Sequence, residues 1–314
     1  MQIVMGIENY HKNDQPLYLA LGNFDGVHKG HQSLIKSLVD KAVASGGRSV
    51  AFIFEPHPAQ VLVPDRAPRL LITSGRKAEL LEKMGLDVLI YSPFTLEIAA
   101  WPPEQFVKKI LIDTLQVREV FVGFNYTFGH RGAGTPEDLE HLGQESGFGV
   151  NIIPPVTYKD EPISSSLIRK SLESGDVITA YNMLGYHPLI EGVVVEGEHR
   201  GAAIGFPTAN IGVESLYHIP GKGVYAARAW VDGKEYHCVV NIGSKPTFHN
   251  EYPVSIEAHL MDFSGQIYGH QIRLLLLEKL RDEQRFSSME ELVAQISKDR
   301  DKAWAISRRY SGEL

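Results

Sequence analysis

The chain has 314 residues, enough for about two domains at roughly 150 residues each. Hydrophobic residues make up 43% and charged residues 22%, a globular composition. The net charge of −7 argues against non-specific binding to nucleic acid or an anionic membrane, yet leaves room for a local pocket for a phosphorylated small molecule. The lone cysteine, Cys238, excludes an intramolecular disulfide and a multi-cysteine zinc site, and within the β-like run Tyr236-His237-Cys238-Val239-Val240 it reads as a small buried hydrophobe.

Met1 to Glu8 has neither a basic start nor a long apolar stretch, so it does not read as a signal peptide. The longest aliphatic run, Leu274 to Leu277, falls far short of the ~20 apolar residues of a membrane span. The expectation is a soluble cytoplasmic protein, in which the Asn125-Tyr126-Thr127 sequon is idle.

Strands and helices alternate up to about residue 185. Leu17 to Leu21 is an apolar run ended by Gly22, and a helical period follows with Leu34, Ile35, Leu38 and Ala42 on one face. Val50 to Phe54 predicts a strand broken at Pro56, Lys77 to Met84 a helix, and Val88 to Tyr91 a strand. Phe106, Ile110, Leu111 and Leu115 mark another helix, Val120 to Val122 a strand, and Thr135-Pro136-Glu137-Asp138 a capped helix start. Val150 to Ile153 predicts a strand, and Ser164 to Ser166 start a helix through Leu167, Ile168 and Leu172. This alternation predicts a parallel sheet with helices on both faces.

From about Leu189 the texture changes. Ile190–Val195, Val224–Val231, Tyr236–Ile242, Val254–Leu260 and Ile272–Leu277 read as strands joined by turns such as Asp232-Gly233-Lys234. Ser287 with Glu290, or Ser288 with Glu291, forms a capping box for a last helix carrying Leu292, Val293, Ile296, Ala303 and Ile306 on one side. The second half is expected to be a small antiparallel barrel closed by a C-terminal helix, with the boundary near Leu184 to Pro188 and domains of residues 1–185 and 186–314.

Ligands of an open α/β sheet sit beyond the carboxyl ends of its strands. The segments there are Gly22-Asn23-Phe24-Asp25-Gly26-Val27-His28-Lys29-Gly30-His31, Glu55-Pro56-His57-Pro58, Gly123-Phe124-Asn125-Tyr126 and, past a loop, Ser164-Ser165-Ser166-Leu167-Ile168-Arg169. His28 and His31 are three apart and share a face at a helix start, where free N–H groups and the helix dipole bind anions. Gly26 and Gly30 let backbone approach a phosphate, and Arg169 brings a guanidinium one turn into a second helix start. In the other half, Thr208 and Asn210 point the same way in an extended segment as hard oxygen donors suited to Mg²⁺, and Glu257 shares a strand face with His259, although chemistry alone favours an ordinary turn and a surface acid.

The Gly22–His31 segment resembles the phosphate-binding signature of the nucleotidyltransferase superfamily in its FAD synthetase form. Ser164-Ser165-Ser166-Leu167-Ile168-Arg169 resembles the second superfamily motif, with Ser166 in place of the usual Thr. Gly205-Phe206-Pro207-Thr208-Ala209-Asn210, Asn241-Ile242-Gly243, Pro246-Thr247-Phe248, Asp262 to Gly269 and Leu280-Arg281-Asp282-Glu283 resemble riboflavin kinase segments. Together, across nearly the whole chain, they resemble the bacterial bifunctional riboflavin kinase/FAD synthetase family. That implies a Rossmann-like α/β nucleotidyltransferase domain followed by a β-barrel kinase domain.

The implied chemistry is transfer of the ATP γ-phosphate to riboflavin, giving FMN and ADP, then adenylylation of FMN to FAD with release of pyrophosphate, and no nucleic acid or membrane partner. By resemblance His28, His31 and Arg169 are catalytic in the first half, and Gly22, Asn23, Phe24, Asp25, Gly26, Gly30, Ser164, Ser165 and Ser166 bind ATP phosphates. In the second half Glu257 is the base, Gly205 lies at the nucleotide, and Thr208 and Asn210 hold Mg²⁺. Asn125, Phe206 and Arg281 contact flavin. The family usually has Arg where this chain has Ala202, next to Arg200. The alternative is therefore a monofunctional FMN adenylyltransferase with an inactive or regulatory barrel, favoured by Ala202 and opposed by intact Thr208, Asn210 and Glu257. Gly221-Lys222-Gly223-Val224-Tyr225-Ala226 matches the dinucleotide fingerprint formally, but leads into a strand rather than a helix.

Overall fold

A computed structural model of the chain describes residues 1–197, 201, 204–244 and 254–310. The chain packs into two compact units, Met1–Ser164 and Ser165–Leu314.

In the first unit β1 (Gln2–Met5), β2 (Leu17–Leu21), β3 (Arg48–Phe54), β4 (Val88–Ser92), β5 (Glu119–Gly123) and β6 (Gly149–Ile153) form one sheet in the order β1-β4-β3-β2-β5-β6. Every pair is parallel. Five of these strands coincide with apolar runs of the sequence. The sixth, β1, buries only Val4, so as an edge strand it carries no continuous hydrophobic signal. Leu19, Ala20, Val50, Ala51, Leu89, Ile90 and Val120 are fully buried, as expected for strands covered on both faces.

The helices follow their apolar faces. α1 (Lys29–Ala44) buries Leu34, Ile35, Leu38 and Ala42. α2 (Pro58–Leu62) is a short turn, and α3 (Ser74–Lys83) is capped by Thr73, whose side chain accepts from Arg76 N. After α4 (Leu96–Ala99), α5 (Pro103–Phe106) runs into a π-helical segment, Val107–Thr114, that buries Val107, Ile110 and Leu111. α6 (Pro136–Ser146) starts in a capping box between Thr135 and Asp138. A short hairpin, β7 (Thr157–Tyr158) with β8 (Glu161–Pro162), follows β6. Strand β2 has β3 on one side and β5 on the other, so the winding reverses there and a crevice opens beyond the carboxyl ends of β2 and β5.

The second unit opens with α7 (Ser165–Glu173) and α8 (Val177–Leu184). β9 (Leu189–Val195), β10 (Ala209–Gly212), β11 (Gly223–Val231), β12 (Lys234–Ser244), β13 (Val254–Leu260) and β14 (Gln271–Arg281) close a barrel in the order β10-β13-β12-β11-β14-β9, β9 pairing back to β10. All ladders are antiparallel. β10 is the strand absent from the sequence reading; it has four residues and follows a Gly- and Pro-bearing loop. Tyr225, Ala227, Cys238, Val240, Ile242, Leu274 and Leu276 fill the inside, so Cys238 is the buried hydrophobe expected.

The C-terminal helix (Met289–Arg309) covers the outer face of β11 and β14 with Ala303 and Ile306 against Ala226, Leu275 and Leu277. The expected capping box forms only by half, with Ser288 as N-cap and the Glu291 carboxylate turned to Ser287 instead of the Ser288 N–H. Ser288 Oγ accepts from Glu291 N at 3.2 Å, and the Glu291 carboxylate accepts from Ser287 N and Oγ at 3.1 and 2.7 Å. The helical pair α7–α8 rests on the barrel through Gly221, whose N–H donates to Leu172 O at 2.7 Å and whose lack of a Cβ leaves room for the Glu173 carbonyl. Among the described residues no helix is long and apolar enough to cross a membrane.

Candidate active site

The first constellation lies at the β2 end of the crevice. His28 is the N-cap of α1, and its Nδ1 accepts from His31 N at 3.4 Å, so a neutral His28 carries its proton on Nε2. The two imidazoles, three residues apart, are stacked with centroids 3.6 Å apart and planes 17° apart, and Phe24 meets His31 edge-on at 5.3 Å. Gly30 makes that stack possible, since a Cβ there would stand 3.2 Å from the His28 ring. The turn before the helix is unusual. Phe24 (φ 47°), Gly26 (φ 81°) and Val27 (φ 34°) are all left-handed, and for a β-branched valine this is strained. Tethers hold it: Asp25 Oδ1 accepts from Leu71 N at 2.8 Å, Lys77 Nζ donates to Asn23 O at 2.8 Å, and Gln32 Nε2 donates to Val27 O at 2.8 Å. Asp25 and Phe24 are buried, so they build the turn from within.

Burial pushes His28 down to about 4. His31 lies well below the ordinary histidine value, chiefly through burial and further through the nearby positive charge of His28 and Lys77. Both rings are therefore neutral near pH 7 and offer hydrogen bonds rather than charge. His31 Nδ1 is buried without a hydrogen-bond partner among the described residues, the kind of atom a ligand satisfies.

Other strand ends converge nearby in the same unit. His57 caps α2 with Nδ1 accepting from Ala59 N, so its Nε2 faces the Asn23 amide at 3.2 Å. Glu55 accepts from Ser74 Oγ at 3.0 Å. Asn125 is exposed in the turn after β5, beside exposed Phe124, while half-buried Tyr126 has its hydroxyl pKa pushed up by desolvation. Ser164 closes the first unit. Ser165 and Arg169, four apart on the first turns of α7, share one half-buried face, and Ser166 is exposed.

In the barrel, register places Asn210 of β10 opposite Glu257 of β13, and Glu257 opposite Asn241 of β12. Their alternate neighbours Ile211, Ile256, Ala258 and Ile242 are buried inside, so the three polar residues share a row on the outer face. Thr208 just precedes β10. His259 Nδ1 lies 2.8 Å from Pro207 O, a pure acceptor, so it donates there, and Phe206 meets its ring edge-on at 5.4 Å. Gly197 leaves the space that the Asn210 amide fills, and Gly205 is left-handed at φ 83°. Arg281 is engaged with the C-terminal helix: its Nε and Nη2 both reach Asp299 Oδ2 at 2.9 Å, and Asp299 is buried.

The FAD synthetase family model matches residues 10–167 and the riboflavin kinase model residues 184–307. A bifunctional riboflavin kinase/FMN adenylyltransferase from Bacillus subtilis is 40% identical over 91% of this chain and 90% of its own length. The protein of the same name from Escherichia coli K12 is 34% identical over 95% and 96%. This chain belongs to the bifunctional riboflavin kinase/FMN adenylyltransferase family. A crystal structure described as a macrolide-efflux protein from Streptococcus pneumoniae also shares the fold, with a TM-score of 0.86 at 27% identity, covering 96% of this chain and 99% of that one.

Both enzymatic domains of the family are present, which favours the two-activity reading over an adenylyltransferase with a retired barrel. Arg200, Ala202 and the Pro246-Thr247-Phe248 segment lie outside the described residues. Sequence reasoning missed three residues that build the sites. In sequence Lys77 marks only the start of a helix, although a lysine on the buried face of an amphipathic helix is a signal. Gly197 carried no signal beyond being a glycine. Asn241 shows no role in sequence because its opposition to Glu257 is a matter of register.

Proposed function

We propose that the family's two reactions divide between the two constellations. At the first, the FMN phosphate attacks the α-phosphorus of ATP in line and pyrophosphate leaves. The nucleophile is already an anion, so the protein's task is positioning and charge stabilisation. His28 Nε2–H and His31 donate to the phosphates at the start of α1, where the helix dipole adds to them. Arg169 and Ser165 supply further donors, and Asn125 orients flavin phosphate. As polyphosphate arrives, its charge raises the pKa of both imidazoles and strengthens these bonds.

At the barrel the nucleophile is the neutral riboflavin 5′-hydroxyl, and Glu257 accepts its proton as it attacks the γ-phosphate. The Thr208 hydroxyl and Asn210 amide oxygen are hard donors in the same stretch as the Glu257 row, and they fit Mg²⁺ arriving with ATP. When bound, that ion neutralises developing phosphate charge. Phe206 packs at the flavin side, and Arg281, pinned by Asp299, borders the site from β14. With ATP as co-substrate of both steps, the proposed location is the cytoplasm, and the proposed domains are residues 1–185 and 186–314.

The observation that carries this reading is the stacked His28–His31 pair at a helix start on the sheet's switch point, with His31 Nδ1 left for a ligand. The test is chromatography of flavins after incubation with ATP·Mg²⁺ and either riboflavin or FMN. FMN and FAD from riboflavin are expected. FAD from FMN with nothing from riboflavin would sink the kinase assignment, and no product from either would sink both.

A further inference from the structure

Lys77 is 6% exposed, on the inner face of α3, with its ammonium 2.8 Å from the Asn23 carbonyl. Burial lowers its pKa, and the negative charges of Asp25 and Glu55 partly oppose that. Each belongs to a different segment: Asp25 to the turn after β2, held to Leu71, and Glu55 to the end of β3, held to Ser74 of α3 itself. The ammonium thus bonds α3 directly to the turn that carries the two histidines. Taking an ammonium out of water costs several kcal/mol, and apolar replacement of such groups is often neutral or stabilising. Stability alone therefore gives no reason for a lysine here. The turn gives one: Phe24 and Val27 are held in backbone conformations that relax unless the surroundings over-determine them. Asn23 O is the point where α3 grips that turn.

We propose that Lys77 is a positioning residue for adenylyl transfer: its buried ammonium fixes the Asn23 carbonyl and, through the Gly22–Val27 turn, the placement of His28 and His31 against the ATP phosphates. This rests on the assignment of the first constellation to adenylyl transfer. Lys77 has no place in the barrel chemistry, so the kinase activity of the same molecule reports on folding and concentration.

The test is steady-state FAD formation from FMN and ATP·Mg²⁺ by the full chain and by Lys77→Met, with FMN formation from riboflavin measured on the same preparations. A turn displaced by up to 1 Å predicts a fall of about 10²-fold in kcat for FAD formation, with kinase kcat unchanged. Lys77→Gln, which keeps a donor for Asn23 O without the charge, is expected to recover part of that loss, and it serves as the working variant should Lys77→Met not fold. A variant with intact kinase activity, a lowered melting temperature and full kcat for FAD formation would show a merely structural role and overturn the proposal. A parent chain that makes FMN but no FAD would overturn the adenylyltransferase assignment, and the proposal with it.

Discussion

Replacing Gly30 by alanine separates the stability of the first unit from its chemistry. Gly30 is the second residue of α1 and has no left-handed φ to preserve. A Cβ there stands 3.2 Å from Cε1 and Nδ1 of His28. Optimal carbon contacts are about 3.5–4.0 Å, so the ring must yield by about 0.3–0.8 Å. It is hemmed in by the His31 ring at 3.6 Å and by its capping bond to His31 N. A strained rotamer costs about 0.5–1.5 kcal/mol, while alanine for glycine in a helix returns up to about 1 kcal/mol. The two nearly cancel, and the melting temperature should move by no more than about 2–4 °C. The chemistry has no such compensation: a displacement approaching 1 Å costs ~10²-fold, so a loss of about tenfold or more in kcat for FAD formation is expected. The assay compares FAD formation from FMN with FMN formation from riboflavin in one preparation, beside a thermal melt. Unchanged melting with unchanged FAD formation would refute the claim that Gly30 serves the His28 ring, and loss of both activities would show damage to the fold instead.

Further outcomes follow from the same geometry. Glu257→Gln should lower FMN formation from riboflavin by about 10²- to 10⁴-fold while FMN-to-FAD conversion persists, since only the kinase step needs a base; joint loss would sink the two-site division. With His28 held near 4 in the folded state, the unfolded chain takes up a proton between pH 6.5 and 4 that the folded chain does not. Stability should therefore fall as pH drops through that window, by on the order of 3 kcal/mol from this ring. His28→Asn keeps a capping acceptor and should make the melting temperature less steep across that range, with His31 supplying what dependence remains; an unaltered slope would discount His28 as a source. Asp299→Asn strands the Arg281 guanidinium, 20% exposed, against a partner without charge. It should destabilise the barrel by about 3 kcal/mol, read as loss of kinase activity at a temperature where FAD formation survives; an unchanged melt would show that the pair is dispensable.

The elements legible beforehand are those with local causes. Leu17–Leu21, Val50–Phe54 and Val120–Val122 announce buried parallel strands because they are apolar on both faces. Thr135-Pro136 and Ser288 announce helix starts because a cap is a contact between neighbours. His28 and His31 could be paired beforehand because helical spacing alone brings them to one face. Gln2–Met5 and Ala209–Gly212 escaped because a short strand with one buried side draws its order from its neighbours: β4 for the first, β9 and β13 for the second.

The residues of the candidate sites divide in the same way. Composition, the order of strand- and helix-like segments and the glycine- and histidine-rich turn were enough for the fold class, the two-part organisation and the chemistry of phosphate handling, because each depends on residues within a turn or two of one another. Tertiary structure alone decided that both imidazoles are neutral, since burial depends on what the whole unit packs around them. It alone set Lys77 beneath Asn23, 54 residues away, and brought Asn210, Glu257 and Asn241 into one row, since register between strands is a property of the closed barrel. Desolvation and register are sums over distant neighbours, and no local stretch of chain contains them.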